Sequence, residues 1–161
     1  MTDDTADKFP LAVAIVLEEE GVFSDDPNDV GGETIFGIAR ASHPAIPWPP
    51  TKDQSIAIYQ AEYWTAHRCG EMPWPWGLGV FDGEVNQGNV IRLAQEALGV
   101  AQDGVVGPAT LAAMIAAAAP LFDQFLALRA LSYVDESGFP RFGKGWMARL
   151  ARIARGAAQH A

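Results

Sequence analysis

Glycine and proline interrupt the apolar, alanine-rich second half of this chain wherever a helix would otherwise run on, so the sequence divides itself into helices of ordinary length joined by tight turns. The pattern predicts helices over about Leu78–Gln87, Val90–Leu98, Pro108–Ala119, Leu121–Glu136 and Lys144–Ala158. Gly99 suits the position just past a helix end, and Pro108 suits the first residue of the next, with Ala-Gln-Asp-Gly as the turn between. Nearer the start, Phe9–Glu20 reads as a helix with Asp7 as a candidate N-cap, Pro10 tolerated in the first turn and Gly21 as a stop. Val22–Ile38 mixes turn residues with short β-prone pieces, which predicts turns around a small hairpin. A proline-rich loop, His43–Pro50, leads to Thr51-Lys-Asp-Gln, a capping box before a helix to about His67 with Ile56, Tyr59 and Tyr63 on one face. Met72–Gly79 reads as a rigid aromatic loop. The expected fold is mostly α, within the α+β class: a small β-hairpin region near the N-terminus followed by a helical bundle.

A chain of 161 residues, 49% of them apolar, has the size and the core material of a single domain. The longest apolar stretches, around Leu11–Leu17 and Leu111–Ala119, are too short or too interrupted to cross a bilayer. The N-terminus lacks the basic start and apolar run of a secretory signal, so no export route is expected from it and accumulation in the cytoplasm is expected. The net charge of −9 argues against nonspecific binding to nucleic acid. A lone cysteine, Cys69, excludes an intrachain disulfide and a cysteine-rich zinc site, and reads as a buried structural thiol. Charge is unevenly spread. Residues 1–40 carry ten acidic and two basic side chains, whereas the five charged residues after Glu136 are all basic. Among them Arg149, Arg152 and Arg155 are spaced to share a helix face that either meets solvent or docks on an anionic membrane or wall polymer.

One stretch has chemical potential: Glu18-Glu-Glu-Gly-Val-Phe-Ser-Asp-Asp-Pro-Asn-Asp-Val-Gly-Gly-Glu-Thr. A carboxylate at a helix C-terminus faces the negative end of the macrodipole, and Glu18 and Glu19 add like charge beside Glu20. Both effects favour the protonated form, which suits a general acid. Glycoside hydrolysis pairs such an acid with a second carboxylate. Asp29 is the candidate partner, and Thr34 on the hairpin is placed to hold a water. The same residues also serve as ordinary turn formers and a solvated face. The segment fails the calcium-loop spacing of an EF-hand. No Ser or metal-hydrolase motif is present, and His43, His67 and His160 are scattered. Cys69 with His67 has no motif to support a cysteine peptidase, and no cofactor or metal is expected.

The run Glu20-Gly-Val-Phe-Ser-Asp-Asp-Pro-Asn-Asp-Val-Gly-Gly-Glu-Thr-Ile-Phe-Gly-Ile resembles the E-G-G-Y-S-x-x-P-x-D-x-G-G-x-T-x-x-G-I signature of glycoside hydrolase family 108. Ile58-Tyr-Gln-Ala-Glu-Tyr-Trp, Phe81-Asp-Gly-Glu-Val-Asn-Gln-Gly and Phe142-Gly-Lys-Gly-Trp resemble its later motifs, in the same order, so that Val13 to Arg149 is covered. The resemblance implies a lysozyme-like N-acetylmuramidase of the kind phages use as endolysins. It implies Glu20 as the acid, with Asp29 and Thr34 directing water as in phage-type lysozymes. It further implies a catalytic half over about 8–88 and a peptidoglycan-binding-like helical half over about 89–161. Glycan strands of peptidoglycan are the implied partner, with release through a membrane pore such as a holin, and a monomer is expected. Val22 departs from the signature's second glycine. Asp82, Asn86 and Trp64 are candidate substrate contacts, against the alternative of helix–helix hydrogen bonding for the first two and core packing for the tryptophan. Trp74 and Trp76 share that choice between stacking on sugar and anchoring a loop. Asp103, Gly104, Gly107 and Thr110 lie in a stretch similar to a peptidoglycan-binding repeat, where a turn and helix start compete with direct glycan contact. A lytic transglycosylase and a noncatalytic wall-binding phage protein are the alternative functions.

Overall fold

Pro10 in the first turn and the apolar stripe Phe9, Ala12, Val13 and Val16 make Lys8–Glu20 a helix, α1, with one side buried. The computed structural model describes residues 8–20, 23–24, 34–35 and 37–160. The proposed cap Asp7 and stop Gly21 lie outside these. After α1 come three two-residue strands, β1 (Phe23–Ser24), β2 (Thr34–Ile35) and β3 (Ile38–Ala39), in one antiparallel sheet of order β1-β2-β3. Ser24 lies opposite Thr34, and Thr34 opposite Ala39. The rest of the described chain is mostly helical, with α2 (Lys52–Ile58), α3 (Trp74–Asn86), α4 (Val90–Leu98), α5 (Pro108–Ala116), α6 (Ala119–Val134) and α7 (Phe139–Gln159) joined by loops and turns. The expected mostly α architecture, with its small N-terminal β region, is the one observed.

Local chemistry explains most boundaries. The capping box at α2 is complete: the Thr51 hydroxyl accepts from the Gln54 backbone N–H at 3.2 Å, and the Gln54 side chain accepts from the Thr51 N–H at 2.8 Å. Gly99 ends α4 at φ 68°, a left-handed position that glycine takes without strain. Beyond Ile58 the helix widens into a π-turn over Tyr59–Thr65. In a turn of that pitch residues i and i+5 share a face, so Tyr59 and Trp64 both reach the Phe81 ring, at 6.1 and 5.4 Å between centroids.

Three expectations are corrected. The aromatic segment Met72–Gly79 is not a loop throughout, because α3 already begins at Trp74 with Pro75 in its first turn. Likewise α7 begins at Phe139, not Lys144, with Pro140 in its first turn. The alanine-rich helix stops at Ala116, and Pro120 opens α6.

The central helix is α3. Gly79 and Gly83 let neighbours approach its backbone: a Cβ at Gly79 would lie 2.9 Å from the Phe122 ring of α6, and one at Gly83 would lie 2.6 Å from Val90 of α4. Phe9 of α1 packs edge-on to Phe81 at 6.0 Å, and Trp76 stacks on Phe125 at 5.5 Å. No described helix is long and apolar enough by itself to cross a membrane.

Candidate active site

Helix α1 ends on Glu20, and the hairpin starts within three residues of it. Ser24 is four residues beyond Glu20, so their Cα atoms are at most about 14 Å apart. Strand pairing then holds Thr34 across from Ser24, a separation of about 5 Å. Asp29 stands midway in the 25–33 connection, whose two ends that pairing ties together. Asp29, and the side chains of Glu20 and Thr34, lie outside what the structure describes.

The three residues expected to touch substrate are placed differently by α3 and its neighbours. Asp82 has no exposed surface. Arg149 Nε donates to its Oδ1 at 2.7 Å, and Arg129 Nη2 donates to its Oδ2 at 2.8 Å. Asp82 is therefore the pin that fastens α6 and α7 to α3, and its role as a sugar contact is corrected on the ground of burial. Arg129, itself fully buried, also donates to the Gly79 carbonyl at 3.1 Å and to Gln87 Oε1 at 3.0 Å. Trp64 is 7% exposed and packs against both Phe9 and Phe81, so it too is a core residue and not a stacking platform. Asn86 is half-buried at the end of α3, where its amide donates to the Tyr133 hydroxyl of α6. Helix–helix bonding thus occupies one of its polar atoms. Trp74 donates to the Gly156 carbonyl at 3.1 Å, and Trp76 lies between Phe122 and Phe125; both are buried.

The peptidoglycan-binding-like stretch resolves into a hydrogen-bonded turn. Buried Gln95 reaches Asp103 Oδ1 at 2.7 Å, the Val105 carbonyl at 3.0 Å and Thr110 Oγ1 at 3.1 Å, while its own oxygen accepts from the Gly104 N–H at 2.9 Å. The Val105 N–H and then Gln95 hold the Asp103 carboxyl below the usual carboxylate range. Gly104 sits at φ 78°, with Arg92 3.2 Å from where a Cβ would be. Gln95 and Thr110 are buried within this turn, and Asp103 stands exposed at its edge. Nearby, Glu84 Oε1 accepts from the Val90 and Ile91 N–H groups and caps α4, and His67 stands 3.7 Å from its other oxygen. Cys69 is buried, and burial pushes its thiol up.

Two features escaped the sequence reading. Arg40, next to the strand partner of Thr34, lies over the Trp48 ring at 5.8 Å, which puts a half-buried indole and a guanidinium beside the hairpin. A lone tryptophan in the proline-rich loop was the available signal. The other is Arg129, marked in the sequence only as the single basic residue within the apolar run of α6.

No curated protein matches the chain. Among solved structures, Brucella abortus SagA superposes with a TM-score of 0.85 at 29% identity, over 94% of this chain and 94% of that one. The family model described as glycosyl hydrolase 108 matches residues 13–88, which take in Glu20, Asp29, Thr34 and the whole of α3. Through that segment the chain is similar to glycoside hydrolase family 108.

Proposed function

We propose that the protein is an N-acetylmuramidase that hydrolyses the β-1,4 bond between N-acetylmuramic acid and N-acetylglucosamine in peptidoglycan, acting as an endolysin. Glu20 protonates the leaving oxygen, Asp29 activates water on the opposite face of the sugar, and Thr34 positions that water. The observation that carries the reading is the end of α1 on Glu20, immediately before the hairpin whose second strand opens at Thr34, all within the segment matched by the glycosyl hydrolase family. At that helix end the macrodipole and the neighbouring Glu18 and Glu19 favour a protonated carboxyl. An acid separated from a base by room for one water gives inversion at the anomeric carbon. In the endolysin role, the enzyme reaches the wall through a membrane pore made by a partner such as a holin.

The test is a digest of purified sacculi by wild type and Glu20→Gln, with product masses and the anomeric configuration read by NMR. A general acid contributes about 10²–10⁴-fold, and the variant is expected to lose at least that much activity while keeping its thermal transition. Products with reducing ends of inverted configuration support the reading. Anhydro-muropeptides would replace it with a lytic transglycosylase, and an active Glu20→Gln would remove the acid from the scheme.

A further inference from the structure

Helix α7 has a cationic ridge that the hydrolytic reading leaves unused. Arg141, Lys144, Arg152 and Arg155 are all exposed, as is Ala148 between them. Steps of three and four residues keep side chains on one face of a helix, so positions 141, 144, 148, 152 and 155 form a single line. The line runs about 21 Å at a rise of about 1.5 Å per residue. Opposite it, Gly143, Arg149, Leu150, Ile153, Gly156 and Ala157 are buried. Arg149 therefore does not belong to the exposed stripe expected for it; it is 6% exposed and bonded to Asp82. Helix α7 carries no acidic residue, although the chain as a whole has a net charge of −9.

Apolar surface accompanies the cations at one end. Phe142 is 45% exposed, with the Arg141 guanidinium 4.9 Å from its ring centre. Beside it a groove of about 480 Å³ is lined by Phe139, Pro140, Gly143, Lys144 and Met147. Gly143 lets the Phe139 ring close over the helix, since a Cβ there would lie 2.7 Å from it.

We propose that this face of α7 docks on an anionic phospholipid surface, with the cationic line on the headgroups and Phe142 and the Phe139–Met147 groove at the acyl boundary. Charge complementarity selects an anionic partner, and the exposed Phe142 with its neighbouring apolar groove at one end of the line selects a bilayer over a soluble polyanion. The remaining negative charge does not forbid this. Fields are screened over about 8 Å at physiological salt, less than half the length of the line, so the local sign governs. Asp135 and Glu136 in the preceding turn mark its acidic border.

The experiment is cosedimentation of the whole chain with vesicles of phosphatidylglycerol and of phosphatidylcholine, at low and high salt. Phosphatidylglycerol vesicles are expected to bind it and phosphatidylcholine vesicles not, with binding weakened by salt. Each lost charge lowers the partition about fivefold, so Lys144→Gln with Arg155→Gln reduces it about 25-fold. Phe142→Ser is expected to weaken binding at high salt, where the apolar part dominates. Equal binding to both vesicles, or a double variant that binds like wild type, overturns the proposal. Binding to sacculi but not to vesicles, lost in the double variant, also overturns it and gives the ridge to a wall polymer. Sacculus hydrolysis in solution should be unchanged in these variants, which separates failure here from failure of the muramidase reading.

Discussion

Two guanidinium groups converge on one carboxylate at Asp82, away from water, and at the scale of single residues such an arrangement is costly to disturb. Removing one member of a buried ion set leaves the others charged and desolvated, which typically costs about 3–5 kcal/mol. Asp82→Ala is expected to lose that much in urea unfolding, whereas replacing Asp82, Arg129 and Arg149 together by Leu, Met and Met should recover a large part of it. A loss below about 1 kcal/mol for the single variant would mean that water reaches the two arginines. The sequence showed Asp82 as a member of a motif but not what it binds, because its partners lie 47 and 67 residues away. The turn at Asp103 was legible for the opposite reason: all of Gln95, Gly104, Val105 and Thr110 fall within 15 residues, and the composition alone announced a tight turn.

At the scale of elements, proline divides the helix starts that were legible from those that were not. Pro10 and Pro108 stand before ordinary helix formers, and the helices begin there as expected. Pro75 and Pro140 stand among glycine, which breaks helices, and tryptophan and phenylalanine, which are only middling helix formers, yet both open helices. Tertiary packing decides these cases. Trp74, Trp76 and Leu78 bury their side chains only if the backbone is already helical from Trp74 onward. The glycines that weaken α3 as an isolated helix are needed for its neighbours' approach. Gly83→Ala tests this: propensity alone makes alanine stabilising by about 1 kcal/mol, while a Cβ 2.6 Å from Val90 must displace α4. Overpacking of this kind costs about 1–3 kcal/mol, so a net loss in thermal stability is expected. Val90→Ala in the same chain should relieve part of it. A stabilised Gly83→Ala would mean that α4 moves freely.

For the whole molecule, the family match ends at residue 88 while the packing that supports it does not. The ring of Trp76 is flanked by Phe122 and Phe125, Gly83 is covered by Val90, and both partners of Asp82 belong to α6 and α7. A chain cut after Gly88 would keep every residue assigned to chemistry and expose the far side of α3. Large aromatic side chains bury about 150–250 Å² each, and at about 25 cal/mol per Å² the exposure of Trp76 alone forfeits roughly 4–6 kcal/mol. Domain stabilities of about 5–15 kcal/mol leave little after that loss and the release of Asp82 from its arginines. Residues 1–88 alone are therefore expected to show no cooperative thermal transition and no sacculus hydrolysis, read by circular dichroism and by release of reducing ends. The sequence could not announce this dependence, since each half carries its own helical pattern and the contacts joining them are long-range. A truncated chain that melted sharply and cut glycan would instead make the second half a separable module, its helices attached to an enzyme that does not need them.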